Sequence, residues 1–126
     1  MRHLGYVAGT GLSVAVLDVV DMSTSDVANQ LTLLVLLVGA GLLGFAWPAR
    51  AWLAGLTLGS ALAVTHALYL AARQPLPYQM NPSGWAGPIT LLVLLIPAFV
   101  AAFSGAGLAA LGRRVSSDSG ESPTRR

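Results

Sequence analysis

The sequence predicts an all-α, polytopic membrane protein with four transmembrane helices and with its N- and C-termini inside. Three observations carry this expectation. Apolar residues make up 55% of the 126 residues and charged ones only 10%, where a soluble domain carries about 25% charged residues. Charge-free runs of 23, 22 and 39 residues cover 27–49, 51–72 and 74–112, and a helix needs about 20 residues to cross the hydrocarbon core. The seven basic residues, all Arg, gather at alternate ends of those runs. Twelve charges cannot keep a chain of this size dispersed in water. The absence of Cys excludes a disulfide scaffold, and the apolar, non-repetitive composition excludes disorder and collagen.

The first span is expected over residues 4–20. It is short and carries Gly5, Gly9, Gly11, Thr10 and Ser13. Arg2 before an apolar stretch, with Ser23-Thr24-Ser25 behind it, also fits a cleaved signal peptide. Asp18 and Asp21 are poor company for a cleavage site, and they favour a retained span. Either way residue 27 is placed outside.

The second span, over 29–47, is Leu-rich on most sides and reads as largely lipid-facing, with Gly39, Gly41 and Gly44 thinning its inner end. The turn Trp47-Pro-Ala-Arg-Ala-Trp52 is so short that the second and third spans must be antiparallel neighbours. The third span, over 51–72, places a small residue at every fourth position: Ala51, Gly55, Gly59, Ala63, Ala67 and Ala71. Lipid gives helices no hydrophobic reason to associate, so small residues that admit close backbone contact become the packing signal. Four residues turn a helix by about 400°, so the row drifts by ~40° per step and only part of it can face one neighbour. Gly55, Gly59 and Ala63 are the expected contact.

The turn-rich stretch Gln74-Pro-Leu-Pro-Tyr-Gln-Met-Asn-Pro-Ser-Gly delays the fourth span to about 88–111, with Pro88 in its first turn. Pro97 lies inside that span and cannot donate to the Val93 carbonyl, so a kink is expected there. These spans form one domain over 1–112. Residues 113–126 are polar and aperiodic and are expected to be a disordered cytoplasmic tail.

Orientation follows from Arg. Arg2, Arg50, Arg113, Arg114, Arg125 and Arg126 fall on one side and only Arg73 on the other, which makes the first side cytoplasmic. Trp47 and Trp52 bracket the inner boundary, and Tyr69, Tyr78 and Trp85 gather at the outer one. The expected location is a bacterial inner membrane. Ala and Gly, 34 of the 126 residues, are as common as in a GC-rich bacterial genome, which is the compositional alternative to the packing signal of the third span. The charge bias argues against the dual-orientation multidrug transporters and fluoride channels, and the intramembrane Glu of the former is missing.

Ionisable groups within a span are functional suspects by default. His66 is the clear case, and Asp18 sits near enough in depth to pair with it. Against a proton-accepting pair stands a neutral His tying two helices together, which is favoured. One intramembrane His without Cys cannot assemble three or four metal ligands, and no nucleophile–base set or nucleotide loop is present. No catalytic activity, metal or cofactor is expected. The expected partners are the lipid bilayer and a second copy or another membrane protein, with no nucleic acid. The leading function class is a non-enzymatic accessory or interaction subunit; the alternative is a small oligomeric channel or transporter.

The Trp-Pro-Ala-Arg-Ala-Trp turn, the small-residue span, the Pro-Leu-Pro-Tyr loop and the Ile-Pro-Ala-Phe span together resemble a loose group of small bacterial four-helix membrane proteins. The resemblance covers residues 40–112 and implies no activity.

Overall fold

The computed structural model of the protein describes residues 2–23, 28–75 and 83–118. Among these the chain is helical throughout, with α1 (Arg2–Asp21), α2 (Ala28–Ala46), α3 (Ala51–Ala71), α4 (Ala86–Leu91) and α5 (Leu95–Asp118). A 3-10 turn at Pro48–Arg50 leads into α3, and a second at Leu92–Leu94 joins α4 to α5. Three stretches, His3–Asp21, Pro48–Ala71 and Ala86–Ser117, are long and apolar enough to cross a membrane; Gln30–Ala46 is shorter.

Local chemistry explains the boundaries. Pro48 opens the first 3-10 turn, where its missing N–H costs nothing, and the Arg50 amide closes that turn on the Trp47 carbonyl at 2.8 Å. At the far end of α3 the Arg73 amide bonds Leu70 O at 3.1 Å and the Gln74 amide bonds Tyr69 O at 2.9 Å. This is a Schellman stop, with Arg73 at φ 53° in the position glycine usually takes. The second 3-10 turn falls just before Pro97, in the stretch where Pro97 cannot supply the usual α-helical donor to Val93 O. The last helix does not stop at Gly112. It continues through Asp118, so the start of the segment expected to be a tail is helical, and residues 119–126 lie outside the described residues. Ser116 and Ser117 bond back to the carbonyls of Gly112 and Arg113, which supports the extra turn.

Helices successive in the chain alternate in direction, with α4 and α5 taken as one rod, so α2 and α5 run the same way. A side chain at Gly5, Gly9 or Gly39 would touch Trp47, Leu43 or Ser13 respectively, so α1 and α2 run antiparallel. Gly55 lies against Phe99 and Gly59 against Leu95, so α3 and α5 are antiparallel too. The start of α1, the Pro48–Arg50 turn and Arg113 therefore meet at one end of the bundle. Asp18, Asp21 and His66 meet at the other.

The core is small-chained: Leu17, Leu36, Leu43, Leu58 and Leu62 interleave with Ala40, Ala54, Ala98 and Ala102. Two glycine contacts set the helix spacing. A Cβ on Gly59 would stand 2.7 Å from Leu95 Cα, and one on Gly55 2.7 Å from the Phe99 ring. Between α2 and α5 the approach is closer still, with a Cβ on Gly44 colliding with Ala102 O and one on Gly105 with Gly41 O. So α2 is only half exposed. Leu36, Ala40 and Leu43 are buried on its inner side while Leu34, Val38, Leu42 and Phe45 face outward. Its run of leucines hid this, because outward-facing and core-facing leucines read alike.

Candidate functional site at the acidic end

The end of α1 brings two carboxylates onto one face, since residues three apart on a helix are neighbours. Asp18 accepts the Thr65 hydroxyl, with both carboxylate oxygens 3.2 Å from Oγ1. Asp21 meets His66, with Oδ2 3.3 Å from Nε2. On its other side His66 Nδ1 lies 2.7 Å from the Leu62 carbonyl oxygen, one turn back on α3. Thus the direct partner of His66 is Asp21, and Asp18 serves Thr65 instead. The sequence ends its apolar stretch at Val20, which placed Asp21 in a loop. The helix runs through Asp21 and turns that carboxylate inward.

His66 is fully buried and Asp21 is 9% exposed. A carbonyl oxygen only accepts, so the His66 Nδ1 carries a proton. The contact of Nε2 with the Asp21 carboxylate joins the last turn of α1 to α3, so the pair ties the two helices together.

A cavity of about 340 Å³ opens beside the pair, lined by Asp21, Thr32, Leu36, Leu62, Leu91 and Leu94. Thr32 is 6% exposed, and its hydroxyl has no hydrogen-bond partner among the described residues. The Thr10 and Tyr6 hydroxyls share this state, whereas most helical hydroxyls here are satisfied. Ser13, Thr57, Ser60, Thr90 and Ser104 each satisfy their hydroxyl on the carbonyl four residues back. Sequence reasoning missed Thr32, Thr65 and Asp21. The available signal was the spacing of Asp18 and Asp21, which predicts a shared face.

Gly55, Gly59 and Ala63 are buried on α3, the two glycines against α5. Farther along the same row Ala71 is exposed. Pro97 is half-buried in the first turn of α5. Among the described residues no group of three His, Cys, Asp or Glu is placed to hold a metal ion. The opposite end of the bundle is basic. The Arg50 guanidinium contacts His3 Nδ1 and lies 5.2 Å from the Tyr6 ring centroid, and Tyr6 meets Trp47 edge-on at 5.6 Å.

These features define a class, a helical bundle with an apolar exterior and a buried His–Asp pair. Compared with known protein families, curated proteins and solved structures, the chain gives no match.

Proposed function

We propose that the protein is a four-span integral membrane protein of a bacterial inner membrane, with both termini cytoplasmic. On this reading it acts as a non-enzymatic accessory subunit, through contact with other proteins in the bilayer. The observation that supports this is the inverted distribution of polarity. Leu4, Val7, Val19, Leu68, Ile96, Val100 and Leu108 are each more than 60% exposed. The His66, Asp21, Asp18 and Thr65 groups meanwhile point at one another inside. Water would penalise that exterior, whereas acyl chains cover it at no cost. The inner polar groups satisfy each other across α1 and α3, which holds the bundle together as a scaffold.

The test is purification from native membranes in mild detergent, after confirming that alkaline carbonate does not extract the protein. One partner recovered consistently and in fixed proportion supports the subunit reading. Recovery of a homogeneous, partner-free protein counts against it. The second reading, a small oligomeric transporter, draws support from the cavity where Asp21 and the Thr32 hydroxyl meet. Proton-coupled solute uptake by reconstituted liposomes, lost in Asp21→Asn, would establish that reading in place of the first.

A further inference from the structure

The basic end of the bundle holds a cleft of about 400 Å³, lined by His3, Trp47, Pro48, Arg50 and Arg113 among others. Three separate parts of the chain build it: the start of α1, the α2–α3 turn and the end of α5. We propose that this cleft binds the phosphodiester headgroup of an anionic phospholipid. The proposal rests on the membrane reading above.

Charge is the first argument. Two guanidiniums, Arg50 and Arg113, line the cleft and no carboxylate does so among the described residues. Asp18 and Asp21 lie at the far end of the bundle. Preorganisation is the second. A guanidinium only donates, so the contact of Arg50 with His3 makes Nδ1 of His3 the acceptor and leaves its other ring nitrogen as a donor. Held by His3 and by the face of Tyr6, Arg50 loses little freedom when a ligand arrives. Arg113 is exposed and makes no side-chain hydrogen bond or ion pair among the described residues. It is a second fork beside the first, and planar forks match phosphate oxygens.

Position is the third argument. The Trp47 ring and the apolar faces of Ala46 and Pro48 share the cleft with the two Arg, and Trp52 is exposed one turn along. Indole rings favour the headgroup level. A lipid could thus place its phosphate on the Arg pair and lead its chains away along the apolar exterior. At about 30 Å³ per water the cleft has room for roughly a dozen water-sized groups, which suits a phosphate with its glycerol.

The test measures the anionic-to-zwitterionic phospholipid ratio retained by the full chain, extracted from vesicles of equal phosphatidylglycerol and phosphatidylcholine. Arg113→Gln is expected to lower that ratio roughly fivefold. Arg50→Gln/Arg113→Gln should lower it further, and Arg114→Gln, outside the cleft, should leave it unchanged. An unchanged ratio in the double variant, with helicity and membrane retention intact, overturns the site. An equal fall in Arg114→Gln overturns it in favour of diffuse surface charge. Delipidated protein is also heated with inorganic phosphate or with short-chain phosphatidylglycerol. Stabilisation by the lipid alone supports a lipid ligand, and equal stabilisation by phosphate overturns the lipid as its source. Release of the wild-type chain by alkaline carbonate would instead overturn the membrane reading beneath the proposal.

Discussion

At the level of single residues, the informative contact is the one between His66 and Asp21. Removing one partner of a buried pair strands the other, while removing both can cost little. His66→Leu is therefore expected to destabilise the detergent-purified protein by about 1–2 kcal/mol, the upper part of the range for polar contacts between membrane helices. The double variant His66→Leu/Asp21→Leu should recover a clear part of that loss. Thermal unfolding of both variants checks this, and losses that simply add would mean the two groups are not coupled. Thr32 gives an independent reading of the same region. Its hydroxyl lines the cavity with Asp21 among five leucines, and a water held between the two polar side chains would satisfy that hydroxyl. Thr32→Val keeps the shape and removes the hydroxyl, so it should cost about 1 kcal/mol. A gain in stability of similar size would show that the cavity is dry. His66 and Asp18 stood out in the sequence because charge in a span is rare. The pairing did not, since a one-residue difference in where α1 ends decides which carboxylate reaches the imidazole.

Among the helices, what was legible depended on contrast. The row of small residues on α3 pointed to Gly55 and Gly59, and their backbones lie against α5. The sequence did not say which helix they would meet. The closer contact, Gly41 and Gly44 against Ala102 and Gly105, was hidden because α5 is rich in small residues on every side and no register stands out. The structure separates its glycines sharply. A Cβ on Gly105 would run into the Gly41 carbonyl, whereas one on Gly107 meets nothing within 4 Å. The same substitution in the same helix should thus act in opposite senses. Gly105→Ala is expected to cost about 1–3 kcal/mol through forced separation of α2 and α5. Gly107→Ala should be neutral or stabilise by up to about 1 kcal/mol, because alanine is the better helix former. Equal melting temperatures for the two variants would mean that α2 and α5 do not approach as closely as the structure shows.

For the molecule as a whole, geometry and charge bear on topology separately. The structure places the start of α1, the Pro48–Arg50 turn and Arg113 at one end, so these three points share a side whatever that side is. Arg73, just past the end of α3, lies at the other end with Asp21. On the proposed membrane reading, the Arg distribution, six against one, would put the first end in the cytoplasm. A reporter that works only in the cytoplasm should be active when fused after Asp118 and inactive when fused at Asn81. A reporter that works only outside should show the reverse pattern. The junction after Asp118 is chosen because α5 continues to that residue, so a cut at Gly112 would fall inside a helix. The two failures mean different things. Reversed activities would overturn the orientation while leaving the bundle intact, because geometry fixes only which points share an end. Equal activity at both junctions would be more damaging. It would require the α4–α5 rod not to cross the bilayer, although Ala86–Ser117 is the most apolar of the candidate spans. The outward-facing Ile96, Val100 and Leu108 would then lack the acyl chains that the proposed membrane reading supplies to cover them.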